Sequence, residues 1–106
     1  MQFQNKFAKA FKRVRRARKL TQEDFSDGSG RTYISELERE VKYPTLNKID
    51  TLAVPLNFHP LTILTLSYSP RDNLSAIEKL LFQVREEAEE ILRLEKEVVP
   101  VRNGKG

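Results

Sequence analysis

Leu20-Thr21-Gln22-Glu23 and, after a short interval, Arg31-Thr32-Tyr33-Ile34-Ser35-Glu36-Leu37-Glu38-Arg39 decide how this chain is read. In the second stretch Ile34 and Leu37 are three apart, so a helix over Arg31–Glu40 buries them together, with Val41 extending that face and Tyr33 beside it. Arg31, Thr32, Ser35, Glu36 and Arg39 are left on the opposite side. In the first stretch Thr21 stands where an N-cap belongs, and Asp24 is placed to reach back to it, the pattern of a capping box. A short helix with Phe25 as its core residue follows. It must stop at Ser26-Asp27-Gly28-Ser29-Gly30, which is turn chemistry.

Working outward, residues 3–19 predict a helix with Phe3, Phe7, Phe11 and Val14 as one apolar stripe. Beyond the decisive stretch, Pro44 breaks the chain and Thr45 caps a helix from Leu46 to Val54. The apolar set of this helix is Leu46, Ile49, Leu52 and Ala53, and Pro55 is expected to end it. His59 sits near the cap of a further helix, with Pro60 in its first turn, running to about Ser67. Ser69-Pro70-Arg71-Asp72-Asn73 reads as a loop. No segment alternates with period two, so no sheet is expected.

The last helix differs. Ser75-Ala76-Ile77-Glu78 matches a capping box, and a helical pattern without Gly or Pro then runs to about Val98. Ile77, Leu81, Val84, Ala88, Ile91, Glu95 and Val98 alternate four- and three-residue steps, an a/d seam with one polar member. Leu80 and Leu94 widen it. The seam predicts a homodimer element, with parallel and antiparallel pairing both open. The alternative is a helix folded back on its own core. The domain expectation is a helical unit over 3–68, a dimerisation helix over 74–98 and a flexible tail over 99–106.

Composition narrows the function. The 106 residues carry 19 Lys and Arg against 15 Asp and Glu, a net charge of +4, and the hydrophobic share is 39%. This is a globular composition rather than a disordered one. Eight of the cations fall within residues 1–20, which hold no acid, and such a block points to a phosphate-bearing partner. There is no Cys and one His, so disulfides, thiolate metal sites and His-rich clusters are excluded, and no metal or other cofactor is expected. No apolar run is long enough for a membrane span and no secretion signal is visible, so the expected location is cytoplasmic. No nucleophile–base constellation is present. Gly28-Ser29-Gly30 lacks the Gly-Lys-Ser/Thr that would complete a phosphate loop. The chain is therefore not expected to be an enzyme.

From Phe11 to about Leu66 the sequence resembles the helix-turn-helix family of phage Cro and CI repressors, the XRE-type regulators. Phe11-x-x-Val14-Arg15 is similar to the end of that family's first helix, Leu20-Thr21-Gln22-Glu23 to the start of its second, and 31–39 to its recognition helix. Lys42-Tyr43-Pro44-Thr45-Leu46 matches the loop into the fourth helix. Leu52-Ala53 and His59-Pro60-Leu61 match the last two helices. The resemblance implies an all-α, five-helix domain of the lambda-repressor type, followed here by the long C-terminal helix. Gln22 to Ile34 is about two residues shorter than usual, so helix two or the turn must be trimmed, and Gly28 and Gly30 accept the backbone angles this requires.

The resemblance places Arg31, Thr32 and Glu36 at base-contacting positions, with Ser35 and Arg39 nearby. Chemistry agrees: Arg pairs bidentately with guanine, Thr offers a methyl and a hydroxyl, and Glu accepts from cytosine N4. Gln22 falls where the family holds phosphate and supports the recognition helix. Thr21, Lys42 and Tyr43 are further phosphate candidates, and Lys12, Arg13 and Arg16 are placed to flank the duplex. Arg15 and Glu38, by the same resemblance, pair with each other to tie helix one to helix three. The expected function is a homodimeric, sequence-specific regulator of transcription that represses by occlusion on a double-stranded operator. The dimer residues are Ile77, Leu80, Leu81, Val84, Ala88, Ile91 and Leu94. The rival reading is an interaction protein, such as an antitoxin, whose C-terminal helix binds another protein. A weaker one is nonspecific packaging of nucleic acid.

Overall fold

The computed structural model describes residues 5–25 and 30–97. It is all-helical among those residues: α1 (Phe7–Ala17), a single 3₁₀ turn (Gln22–Phe25), α2 (Gly30–Glu38), α3 (Leu46–Leu56), α4 (Pro60–Tyr68) and α5 (Leu74–Glu97). The expected five-helix order followed by a long helix is present, with the second helix reduced to the 3₁₀ turn. That reduction absorbs the shortened interval before α2. Gly30, the first residue of α2, has φ +83, a conformation strained for any residue with a side chain. The bend expected at 26–29, Phe3 at the N-terminus and the tail over 99–106 lie outside the described residues.

The core forms where α1, α2, α3 and α4 meet. Phe11, Ile34, Leu37, Leu52, Leu56 and Ile63 are almost completely buried, joined by Phe7, Val14, Phe25 and Ile49. Phe11 stacks against Phe7 at 5.9 Å between ring centroids and meets Phe25 at 5.5 Å in a tilted pair. Such ring pairs add to simple area burial. The three- and four-residue spacing of Phe7, Phe11 and Val14 thus does what its periodicity implies.

Helix ends depart from expectation, each for a local reason. α1 stops at Ala17 rather than 19, because Lys19 turns left-handed (φ 61) while its N–H bonds to Arg16 O and that of Leu20 to Arg15 O. This is a Schellman closure made without glycine. α2 ends at Glu38 rather than 40 in the same way, with Glu40 left-handed (φ 63) and Val41 N–H returning to Glu36 O. Val41 is consequently 56% exposed and does not extend the buried face. α3 continues through Pro55 to Leu56 and closes on left-handed Asn57. Pro55 lies exposed in the last turn, where its missing N–H removes one hydrogen bond without breaking the helix. The extension brings Leu56 into the core, whereas Leu46 is 75% exposed and is not part of it.

The caps divide similarly. Thr45 accepts from Lys48 N–H and His59 Nδ1 from Leu61 N–H, as expected. Asp24 accepts from Thr21 N–H at 2.6 Å, the returning half of the capping box. α5 begins at Leu74 and is capped by Asn73, whose Oδ1 accepts from Ala76 N–H, so the Ser75 capping box does not form. α5 meets the rest of the molecule chiefly at α4. Of its 24 residues none is buried. It does not fold back on the core.

Candidate nucleic-acid interface

α2 carries the candidate base-reading face, and its orientation is set from below. Ile34 and Leu37 anchor one side of it in the core. Arg15 of α1 then grips Glu38 at the end of α2 with two hydrogen bonds, Nε to Oε2 at 2.6 Å and Nη2 to Oε1 at 2.9 Å. The remaining guanidinium nitrogen donates to Leu20 O at 2.8 Å. Both side chains of this pair are nearly buried, at 9% and 3% exposure. The hydrogen bond to Glu38 holds the Arg15 pKa above its usual value against the opposing cost of desolvation. This bidentate geometry fixes α2 against α1, the structural role expected for the pair. Gln22 joins it, donating from Nε2 to Glu38 Oε1 at 3.2 Å. One carboxylate therefore ties α1, the 3₁₀ turn and α2 together.

On the outward side Arg31 and Thr32 are exposed, Ser35 and Glu36 half-buried, and Arg39 exposed just past the helix end. Four of them have partners. Arg31 lies 3.9 Å from Glu23, Glu36 lies 3.6 Å from Lys42, and Arg39 Nε donates to Ser35 Oγ at 3.3 Å. The first two ion pairs are solvent-exposed and weak, so they hold the side chains loosely. Thr21, Gln22 and Arg31 share a shallow depression of about 270 Å³ with Arg15 and Glu23. It sits at the joint between the 3₁₀ turn and the start of α2. Lys42 and Tyr43 continue the surface beyond the end of α2, and Tyr43 is 71% exposed.

The other cations divide by role. Arg13 pairs with Asp72 at 2.8 Å, which draws it toward the loop between α4 and α5 rather than toward α2. Arg16 is exposed and Lys12 half-buried on α1. Arg18 was counted in the sequence only as part of the basic block. It donates to the carbonyls of Leu56 and Asn57 and lies 3.7 Å over the Phe58 ring, closing the end of α3. Lys48, in the first turn of α3, lies 4.7 Å over the Tyr33 ring, with Lys42 at 6.0 Å. Spacing alone gave no sign of this pair of lysines around a half-buried tyrosine. Burial raises the Tyr33 pKa above its usual value. Among the described residues no group of His, Cys, Asp and Glu is placed to hold a metal ion, and no helix is long and apolar enough to cross a membrane.

A buried helix face beneath an exposed polar one, preceded by a short turn and braced by an internal ion pair, is the architecture of a helix-turn-helix DNA-binding domain. The sequence pattern of the helix-turn-helix family matches residues 11–63. The chain belongs to that family, in its Cro/CI-like XRE branch, and is a DNA-binding regulator of transcription. Comparison with curated proteins and with solved structures returns no significant match.

Proposed function

We propose that the protein is a homodimeric repressor that reads its operator by inserting α2 into the major groove. The observation that carries this is the rigid seating of α2. Its inner face is locked by Ile34, Leu37 and the Arg15–Glu38 pair, and its outer face offers Arg31, Thr32, Ser35, Glu36 and Arg39. Base readout requires directional side chains held in a fixed frame, and a recognition helix presents them from its N-terminal half. In this reading Arg31 pairs with guanine and Glu36 accepts from cytosine. Thr21, Gln22, Lys42 and Tyr43 rest on phosphate, with Lys12 and Arg16 flanking the duplex. Arg13, held by Asp72, is the weakest member of that set. Repression follows by occlusion, since a protein seated in the major groove denies the same stretch of DNA to other proteins.

The DNA-binding unit in this reading is residues 3–68, of which 5–25 and 30–68 are described, and α5 joins two copies. Its exposed Leu81, Val84, Ile91 and Leu94 make a stripe that is costly to leave in water. The same stripe supports a second reading, in which α5 takes a different protein as an antitoxin does. A stable hetero-complex that masks α5 would favour it.

The test is selection of bound fragments from a genomic DNA library at physiological salt, comparing the wild type with Thr32→Ala/Glu36→Ala. A palindromic motif that is blurred or lost in the variant is the expected result. No motif, or one the variant keeps unchanged, contradicts base reading by α2.

A further inference from the structure

Two carboxylates beside α2 are held in opposite ways. Glu38 is nearly buried and accepts two hydrogen bonds from Arg15, at 2.6 and 2.9 Å, with a third from Gln22. It fastens three elements together. Glu23, in the 3₁₀ turn, is 74% exposed and lies 3.9 Å from Arg31, itself 67% exposed. That separation is an ion pair too long for a hydrogen bond. Glu36 stands in the same relation to Lys42, at 3.6 Å. Glu23 and Arg31 share their depression with Thr21, Gln22 and Arg15. Arg15 is committed there, with Nε and Nη2 on Glu38 and Nη1 on Leu20 O. Arg31 is the loosely held cation of the two, and Glu23 is the anion set against it.

We propose that Glu23 is a specificity-determining residue, which penalises capture of Arg31 by phosphate and leaves Arg31 available to guanine. This rests on base reading by Arg31, as proposed above. An unopposed arginine on a DNA-facing surface binds phosphate anywhere along a duplex, and such contacts add affinity without sequence information. With Glu23 beside it, a move of Arg31 to phosphate trades one anion for another. It also strands the Glu23 carboxylate next to a polyanion, so the move gains little. A guanine edge is different. It is uncharged, and its O6 and N7 take two of the five guanidinium donors, so others stay with Glu23. Glu23 therefore weakens the wrong encounter more than the right one, which is one of the two routes to specificity. The looseness of the pair matters to this role. A buried bidentate tie like Arg15–Glu38 would withhold Arg31 from bases as well, whereas an exposed pair at 3.9 Å lets it reach them.

The test titrates the full chain against two duplexes of equal length, the selected operator and a shuffled sequence, over a range of salt. Glu23→Gln keeps the side chain's size and removes its charge, Glu23→Ala is a second variant, and thermal melting checks that both stay folded. Each is expected to bind the shuffled duplex about three- to fivefold more tightly and to change operator affinity less than about twofold. The slope of log affinity against log salt should steepen by about 0.9 on the shuffled duplex, one added phosphate, and stay unchanged on the operator. In an Arg31→Ala background the gain on the shuffled duplex should disappear. An equal gain on both duplexes, or a gain that persists without Arg31, shows general repulsion and overturns the proposal. Weaker operator binding shows that Glu23 props Arg31 toward its base, and no change on either duplex shows that it does nothing; both overturn it as well. Failure of base reading is seen separately. Arg31→Ala would then leave the preference for operator over shuffled duplex intact, while the effect of Glu23 on the shuffled duplex is read without any operator.

Discussion

The body formed by α1 to α4 and the helix α5 use similar apolar residues to opposite ends. In the body Phe11, Ile34, Leu37 and Leu56 vanish from solvent. In α5 a comparable set of Leu, Ile and Val lies along one side and stays at roughly half exposure, with Leu81 at 48%, Val84 at 52% and Ile91 at 56%. Periodicity alone does not separate the two cases, since both show three- and four-residue steps. What separates them is chain path. Lys19, Glu40 and Asn57 turn the chain back so that α1 to α4 can bury one another, whereas α5 runs 24 residues with no turn to return it. The body is stabilised internally, whereas α5, with none of its residues buried, draws little from that core.

That contrast can be broken most forcefully in the core. Phe11→Ala is expected to cost about 3–5 kcal/mol and to melt the body. Val84→Asp/Ile91→Asp is expected to leave the melting temperature of the dilute protein nearly unchanged and to lower operator affinity sharply. Thermal denaturation beside a binding titration separates these, and loss of the fold by the α5 variant would contradict the division.

The next effect concerns the brace under α2. Glu38→Ala strands the nearly buried Arg15 and also frees Gln22, at an expected cost of about 3 kcal/mol. Arg15→Met/Glu38→Leu replaces both charges with apolar volume and is expected to recover much of that stability, as read by chemical denaturation. Operator affinity should recover less, because α2 then lacks its fixed tie.

A smaller change tests the flanking cations. Removing both Lys12 and Arg16 is expected to lower the slope of log affinity against log salt by about 0.9 per lost phosphate contact, with the operator motif unchanged. A changed motif would assign them to base reading instead.

The smallest effect is alkaline. The Tyr33 pKa is raised in the fold above its usual 10.0, so the fold favours the protonated ring. Its contribution is complete below the unfolded pKa and is lost as pH rises through the folded one. Stability should therefore decline above about pH 10, and Tyr33→Phe should remove that part of the decline. The matching surface of α5 contains no such group among its seam residues.

The parts of this fold that were legible in the sequence are those governed by local chemistry. Phe7, Phe11 and Val14 announced the inner face of α1 by spacing, Thr45 and His59 announced their caps, and Ile34 with Leu37 announced the face α2 buries. The illegible parts depend on conformations that carry no sequence mark. A left-handed Lys or Glu ends a helix as glycine would, yet nothing in Lys19 or Glu40 advertises it. Pro55 advertised a break that its place in the last turn makes unnecessary. At the candidate site, the identities of Arg31, Thr32 and Glu36 and the Arg15–Glu38 tie followed from resemblance. The capture of Arg13 by Asp72, 59 residues away, and the clamp of Arg18 on α3 needed the tertiary arrangement.

The central claim is that side chains of α2 read individual bases. It is tested most directly by coupling. Arg31→Ala and Glu36→Ala would each be titrated against the selected operator and against operators altered at one half-site base pair at a time. The account predicts that each variant loses discrimination at one base pair and keeps it elsewhere, with a coupling of about 1–3 kcal/mol at that pair. Additive losses at every position, with no base pair tied to either residue, would contradict it.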